Sequence, residues 1–360
     1  MVSGRTTMPA PLYAQQPRTL VWRRRVAALG TFGATVAAVV FVTTSTLGGG
    51  TGSSGVSLDT LRGNPVSVAG AGHLTRPVQQ AAGAPGGAAG AMLVVGGVDD
   101  GGSTVSSIQR VEGTSSTAGG QLPSGLAGAG AVGIRGAVYV FGGGGGGGGG
   151  GGETGVRASI LGVASAGGGS AREVGRLPEP VTEAAVASVG GTAFVIGGFD
   201  GTRELDGVVA WTPGGTAHRT AHLPVPLRFA AAASVDGAVI IAGGISGGVA
   251  TRSILRFDPG RHRVTRIGEL PIALAHAGAG TLGGLVFVIG GRGHGPGSET
   301  RAIYAIDPAT GDARFAGTLP VGLGDMAVAT VADRILIAGG INRSGVVQSP
   351  VLDLVLPPSA

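Results

Sequence analysis

Four residues with distinctive side-chain chemistry occupy one repeated position in this 360-residue chain. Each lies five residues after the proline of a Leu-Pro pair: Glu183, Phe229, His276 and Asp325. Carboxylates and imidazoles transfer protons, so the two acids and the histidine are candidates for general acid–base catalysis. Together with Arg228, one position before the phenylalanine, the same groups are also suited to binding a small polar ligand. The residue types alone leave both interpretations open.

A second set of charged residues follows short apolar segments that end in a pair of glycines. These residues are the further ligand-binding candidates Asp99, Asp100, Asp200, Arg203, Arg292, His294 and Arg343. The simpler alternative is that loops are polar because they meet water, with Arg228 acting as a strut between neighbouring repeats.

Composition excludes several kinds of site. All 25 basic residues are arginine, so the lysine of a phosphate-binding P-loop is missing despite eleven consecutive glycines at 142–152. The lack of cysteine excludes disulfides, thiolate metal ligands and cysteine nucleophiles. His218 and His222 would lie about 13 Å apart along a strand, too far to share a metal ion. The sequence therefore predicts no metal site and no cofactor.

The positive charge is concentrated at the N-terminus. The formal net charge is +5, and five arginines lie in the first 47 residues, which contain no acid. The remaining 20 arginines balance 20 acids, so no basic surface for nucleic acid is predicted.

The N-terminal segment has the pattern of a membrane anchor. Arg23, Arg24 and Arg25 precede 22 uncharged residues, Val26–Leu47, which as a helix would span about 33 Å. The positive-inside rule then predicts a cytoplasmic tail at 1–25, a signal-anchor at 26–47, a flexible linker at 48–61 and an extracytoplasmic remainder. A cleaved signal peptide, giving a secreted protein, is the main alternative, and a buried core helix is the third.

Two markers recur together along the rest of the chain. Six apolar segments end in glycine pairs: Gly96 and Gly97, Gly142 and Gly143, Gly197 and Gly198, Gly243 and Gly244, Gly290 and Gly291, Gly339 and Gly340. In five repeats a Leu-Pro leucine lies 20 residues before the first glycine, and Arg76-Pro77 takes that place in the first repeat. The one long interval, 55 residues, contains the polyglycine run, which indicates a loop insertion at 144–152.

Each repeat contains four short strands, which cannot bury both faces of their sheet unless repeats pack radially. The sixth repeat ends after its third strand, while Asn64–Pro77 precedes the first repeat and resembles an isolated fourth strand. Pairing the two would close a ring. The sequence thus predicts an all-β fold, a six-bladed β-propeller at 62–360, preceded by one N-terminal transmembrane helix.

The glycine pairs, the Asp-Pro turns at Asp258-Pro259 and Asp307-Pro308 and the Leu-Pro strand ends resemble the Kelch repeat. The resemblance covers roughly Asn64–Pro357. The tyrosine typical before the Asp-Pro turn is replaced by Phe257 or Ile306, and the tryptophan typical of the fourth strand is missing.

The Kelch resemblance implies that the loops after the glycine pairs and the loops entering the first strands share one face, at the mouth of the channel. It also allows both enzymes and binding platforms, although galactose-oxidase chemistry is excluded because that copper site needs a cysteine. We expect a non-catalytic, extracytoplasmic binding or scaffolding module, held at the membrane by Val26–Leu47, for an envelope protein or glycan. The alternative is a carbohydrate-active enzyme of the sialate-epimerase type, with Glu183, His276 and Asp325 as acid and base.

Overall fold

The computed structural model describes residues 56–86, 90–145, 155–163 and 169–358. The chain divides into two compact units, and all of these residues belong to the second, Ser53–Ala360. The predicted cytoplasmic tail and signal-anchor, 1–47, lie outside the described residues. Within the part that is described, no helix is long and apolar enough to span a bilayer.

The described residues form one short helix and 28 strands. In chain order these are α1 (Thr60–Gly63), β1 (Ser67–His73), β2 (Ala82–Gly86), β3 (Ala91–Val95), β4 (Ser107–Glu112), β5 (Ser115–Gln121), β6 (Gly130–Ile134), β7 (Ala137–Phe141), β8 (Ser159–Val163), β9 (Arg172–Arg176), β10 (Ala185–Val189), β11 (Thr192–Ile196), β12 (Gly207–Trp211), β13 (His218–His222), β14 (Ala231–Val235), β15 (Ala238–Ala242), β16 (Ile245–Ser246), β17 (Val249–Ala250), β18 (Ser253–Asp258), β19 (Arg263–Glu269), β20 (Gly278–Leu282), β21 (Leu285–Ile289), β22 (Ala302–Ile306), β23 (Ala313–Thr318), β24 (Leu323–Gly324), β25 (Ala327–Val331), β26 (Arg334–Ala338), β27 (Ile341–Asn342) and β28 (Pro350–Val355).

Six antiparallel four-stranded sheets form the blades of a propeller, so the predicted six-bladed fold is confirmed. Blades 1, 2 and 3 are β2–β5, β6–β9 and β10–β13, while blade 4 is β14, β15, β18 and β19. Blade 5 is β20–β23, and blade 6 is β25, β26, β28 and β1. Two further two-stranded pairs, β16 with β17 and β24 with β27, lie in loops.

The ring closes between the two ends of the propeller sequence. Strand β1 pairs antiparallel with β28, from Ser67 opposite Val355 to His73 opposite Pro350. Blade 6 therefore takes three strands from the last repeat and one from the residues before the first repeat, as the sequence predicts. The arrangement removes the free sheet edge that an incomplete last blade would leave.

The core lies between neighbouring blades. The second strands β15 and β21 are buried along their whole length, because a blade is covered on both faces. Phe194 of blade 3 meets Phe257 of blade 4 edge to face, with ring centroids 5.0 Å apart. Each sheet thus supplies the apolar surface that the next sheet needs.

The glycine pairs connect the blades through the backbone. All twelve glycines have φ between 60° and 106°, a region that residues with a Cβ rarely adopt. A Cβ on the first glycine would lie 2.0–2.4 Å from a carbonyl oxygen of the next blade's entering loop. The second glycine donates its N–H to that same oxygen at 2.8 Å. The accepting carbonyls belong to Leu126, Val181, Leu227, Leu274, Leu323 and Val78.

The first repeat differs from the prediction in one detail. Leu74, rather than Arg76, occupies the place of the Leu-Pro leucine, since its N–H donates to Ser349 O at 2.7 Å just as Leu122 N–H donates to Ser106 O at 2.7 Å. The connection between β2 and β3 is two residues longer than the corresponding hairpins, which shifts any count made back from the glycine pair.

Residues 56–61, which the sequence assigns to the flexible linker, pack against the propeller. Leu58 and Leu61 are buried in a core cluster shared with blades 5 and 6. Val56 N–H donates to Gly283 O at 3.0 Å, in the hairpin between β20 and β21. The chain therefore reaches blade 5 at the end of β20 that is remote from His276.

Candidate functional site

The residue two positions before the first strand of each blade belongs to a closed ring. The six ring residues all have φ between 53° and 64°: Gln80, Gly128, Glu183, Phe229, His276 and Asp325. Each donates its N–H to the carbonyl of the ring residue in the preceding blade, with N···O distances of 2.7–3.1 Å. Five of the six are not glycine, so the hydrogen-bonded ring holds a backbone conformation that side chains disfavour.

The ring surrounds the channel mouth, a cavity of about 120 Å³ lined by the six ring residues and the residue after each. The structure brings all four residues at the repeated sequence position together here. Gly128, which also follows its Leu-Pro proline by five residues, adds no side chain. Gln80 was missed by sequence reasoning because it follows Pro77 by only three residues.

The second cavity of the channel, about 250 Å³, has a different character. It is lined by glycine, alanine, valine, proline and the four hydroxyl residues Ser188, Ser234, Thr281 and Thr330. Among the described residues, the charged groups of the channel are thus concentrated at the mouth.

His276 is the centre of one buried cluster at the mouth. Its Nδ1 lies 2.7 Å from Asp325 Oδ1, and its Nε2 lies 3.2 Å from Arg292 Nη2. The His276 and Asp325 side chains are only 6% and 5% exposed. The same Nη2 lies 3.4 Å from Nδ1, and a position nearly equidistant from both ring nitrogens places the guanidinium over the face of the imidazole. Phe229 stacks on the imidazole with centroids 3.7 Å apart.

Arg292 also pairs with a buried acid outside the ring. Its Nη1 lies 3.3 Å from Glu299 Oε1 and 3.7 Å from Asp325 Oδ2. The Glu299 side chain is 1% exposed, and its Oε2 accepts the N–H of Gly297 at 3.0 Å. A buried carboxylate is stable only when it is paired and hydrogen-bonded, and the arginine supplies that partner.

Arg228 forms a second cluster, between blades 3 and 4. Its Nη1 donates to Glu183 Oε2 at 3.0 Å, and its Nε lies 3.5 Å from Glu204 Oε1. The guanidinium stands over the rings of Phe199 and Phe229, at 5.0 and 5.5 Å from their centroids. Arg228 therefore connects two blades and at the same time neutralises a carboxylate at the mouth.

None of the seven residues selected from the glycine-pair loops lines the mouth cavity: Asp99, Asp100, Asp200, Arg203, Arg292, His294 and Arg343 all lie outside it. Arg203 is 65% exposed and pairs with Asp200 Oδ2 at 3.2 Å. Burial raises the pKa of Asp200, but hydrogen bonds from Thr202 and Arg203 and the charge of Arg203 leave it below its usual value. Arg343 is exposed, and its Nε donates to the backbone oxygen of Glu299.

Glu204 and Glu299 are the partners that sequence reasoning missed. Both acids lie in glycine-pair loops from which the sequence analysis had already selected another charged residue, and this proximity in the sequence was the signal that could have identified them.

The wall of the mouth holds carboxylates, an amide, an imidazole and a phenyl ring, and Arg228 and Arg292 lie behind it. Such a wall can accept hydrogen bonds from a polar ligand, while the phenyl ring of Phe229 is already in contact with His276 and Arg228.

Comparison with known proteins agrees with this architecture. The family model described as the Kelch motif matches residues 226–271, which span blade 4. No curated protein matches the sequence. The solved structure described as "Structure of YjhT" is similar with a TM-score of 0.65 and 14% identity, covering 79% of this chain and 96% of that one. The chain is thus a six-bladed β-propeller that contains a Kelch motif in its fourth blade.

Proposed function

We propose that this protein is a non-catalytic binding or scaffolding module, extracytoplasmic and tethered to the cell membrane, whose propeller mouth holds a protein or glycan ligand. The observation that carries the proposal is the ring itself. Six blades converge on one small cavity whose wall combines two carboxylates, an imidazole, an amide and a phenyl ring. Ligand sites typically place a few convergent polar groups in a preformed concavity.

The hydrogen bonding of His276 favours binding over proton transfer. A general base needs a free lone pair within reach of the substrate proton. Here Nδ1 is directed to Asp325, and Arg292 Nη2 lies over the ring, 3.2 Å from Nε2 and 3.4 Å from Nδ1, so the imidazole is already enclosed and only 6% exposed. The imidazole is also stacked on Phe229, which fixes its plane.

The entry of the chain leaves the mouth accessible. Residues 56–66 approach blade 5 through Gly283 and Ala316, and Gly283 lies at the opposite end of β20 from His276. None of these residues lines the mouth cavity.

A carbohydrate-active enzyme, including one of the sialate-epimerase type, is the second candidate. It is favoured by one observation: a hydrogen-bonded pair, His276 and Asp325, is almost fully withdrawn from water beside an arginine. Movement of Arg292 onto an anionic substrate would uncover the imidazole face and open the ring to the substrate as a base.

Single substitutions at the mouth separate the two functions. We prepare Glu183→Gln, His276→Gln and Asp325→Asn, with Asp333→Asn as a control because that side chain is 88% exposed and outside the mouth. Binding to a glycan array and to purified envelope proteins is measured beside the melting temperature. A binding module loses affinity gradually over several mouth positions, whereas an epimerase loses turnover on sugar acids by about 100-fold or more at one position while remaining folded. Unchanged binding in all three variants would contradict the proposed function.

A further inference from the structure

The mouth face has two halves of different surface chemistry. Each blade adds two loops to this face, one entering its first strand and one following its glycine pair. In blades 4–6, the basic half, these loops are 223–230, 243–252, 270–277, 290–301, 319–326 and 339–349. In blades 1–3, the acidic half, their described residues are 74–81, 96–106, 122–129, 142–145, 155–158, 177–184 and 197–206.

Formal charge is distributed very unevenly between these halves. The loops of the basic half contain five arginines and two acids, a net charge of +3. The described loops of the acidic half contain three arginines and seven acids, a net charge of −4. The two sums nearly cancel, which is why overall composition gives no sign of this separation.

In the basic half the acids are buried and most of the arginines are exposed, so its accessible surface is more positive than its formal charge indicates. Its two acids, Glu299 and Asp325, have side chains only 1% and 5% exposed and are paired with Arg292. Arg252, Arg301 and Arg343 are exposed. The loops themselves therefore present positive charge to a partner, and Glu269, at the end of β19, adds one half-exposed carboxylate 3.7 Å from Arg252.

Exposed apolar side chains are concentrated on the same half. Six large hydrophobic residues are exposed in the described chain, and five of them lie in these loops: Val225, Val249, Ile272, Val321 and Val346. Single exposed hydrophobics are ordinary. Three of these five, however, occupy one repeated position, directly after the Leu-Pro proline of blades 4, 5 and 6. At that position blades 2 and 3 have Ser124 and Glu179.

The backbone holds guanidinium groups beside this apolar row. Arg252 Nε donates to Leu270 O at 2.8 Å, two residues before Ile272. Arg301 Nε donates to Leu319 O at 2.7 Å, two residues before Val321. Arg252 also lies 3.7 Å from Glu269, whereas no carboxylate of the described residues pairs with Arg301. Arginine and aliphatic side chain thus recur as a unit in successive blades.

From these observations we infer that the basic half of the mouth face docks a protein segment in which carboxylates alternate with aliphatic side chains. The inference rests on the proposed function and selects a protein ligand over a glycan, since a glycan carries no aliphatic side chains to cover the apolar row. Exposed arginines would steer an acidic segment and pair with its carboxylates, while burial of the valine and isoleucine side chains would provide the apolar contact.

Two synthetic peptides test the inference on the full-length protein in lipid nanodiscs. One fluorescein-labelled dodecapeptide alternates leucine and glutamate, and the other alternates leucine and lysine. Fluorescence anisotropy should show saturable binding of the acidic peptide only, weakening with salt. We expect Kd to rise at least tenfold in R252Q/R301Q and in V225S/I272S/V321S. Blade 2 already has serine at the same position, so V225S/I272S/V321S should keep its melting temperature. R252Q/R301Q also loses two hydrogen bonds to backbone oxygens, so its binding is measured well below its own melting temperature.

The matched control is R172Q/R176Q, which removes two exposed arginines from the outer strand of blade 2, across the ring from blade 5, and should change Kd by less than twofold. Equal binding of the lysine peptide, no binding of the acidic peptide, or an equal loss in the control would each overturn the inference.

Crosslinking in the native host identifies what covers the face. p-Benzoylphenylalanine at positions 272 and 321 should crosslink to an acidic protein segment, and the same probe at 124 and 179 should not. Crosslinks to glycan, lipid or a second copy of this chain would contradict the inference. If Glu183→Gln, His276→Gln and Asp325→Asn weaken binding while V225S/I272S/V321S does not, the proposed function stands and the docking surface is wrong. If neither set of variants weakens binding, both are wrong.

Discussion

At the scale of single residues, Gly243 shows why the glycine pairs stand where they do. Its φ is 66°, and an added Cβ would lie 2.1 Å from Leu274 O in the next blade. That oxygen also accepts the N–H of Gly244 at 2.8 Å. The first glycine is therefore needed for both conformation and space, because the inter-blade hydrogen bond draws the two backbones together.

Gly243→Ala is expected to destabilise the protein by roughly 3 kcal/mol or more, since alanine adds left-handed strain of about 1–2 kcal/mol to a backbone clash. Gly247→Ala is the control: its φ is 59°, but nothing lies within 4 Å of the added Cβ. The Gly247→Ala variant should therefore lose only the free energy of the left-handed backbone strain. Thermal unfolding of both variants measures the difference, and equal losses would mean that close approach of the blades is not what the glycine provides.

The ring residues show how far a site can be predicted from sequence. Glu183, Phe229, His276 and Asp325 were found by counting, because each entering loop has the same length between its proline and the turn into the channel. The pairing of Arg292 with His276 and Glu299 could not be found by counting. It depends on how a glycine-pair loop folds back over the entering loop of its own blade, and these loops vary in length and sequence.

At the scale of elements, loop length explains both irregular repeats. Because the β2–β3 connection is two residues longer than the corresponding hairpins, counting 20 residues back from Gly96 reaches Arg76 instead of Leu74, although the strands of the first repeat are unchanged. The polyglycine run lies between β7 and β8, and the structure describes only its first four glycines. Gly142 and Gly143 make the same inter-blade contact as the other pairs, while Gly144 exchanges two hydrogen bonds with Ala127 at 2.8 Å.

Shortening the run from eleven glycines to four should therefore leave the melting temperature unchanged or slightly raised. A connection reduced from 17 to 10 residues lowers the closure cost by only about 0.5 kcal/mol. Shortening it to a single glycine removes the doublet and should destabilise blade 2. Circular dichroism on heating compares the three lengths; a large loss in the four-glycine variant would show that the inserted glycines have a structural role.

At the scale of the whole molecule, ring closure was predictable because the sequence supplied one incomplete blade and one strand without a partner. Their pairing buries the last free edge, and the structure confirms it. The separation of charge across the mouth face was not predictable from composition. It emerges only when blade order assigns the loops to two sides of one face, since each half is irregular in sequence and the total is nearly neutral.

Membrane attachment is the remaining prediction at this scale, and it concerns residues outside the described part of the chain. Three arginines before 22 uncharged residues favour an uncleaved signal-anchor with the propeller outside. We therefore expect the full-length chain in the membrane fraction of the native host, and loss of the propeller when intact cells are treated with protease. Immunoblotting with an antibody against the propeller measures both.

A variant lacking residues 26–47 is the control and should leave the membrane fraction. A shortened protein in the medium would instead identify the segment as a signal peptide, and soluble partners would then be the ones to test on the basic half. Resistance to protease in intact cells, with sensitivity after lysis, would place the propeller inside the cell. An envelope ligand would then be excluded, although the mouth and its ring of hydrogen bonds would be unaffected.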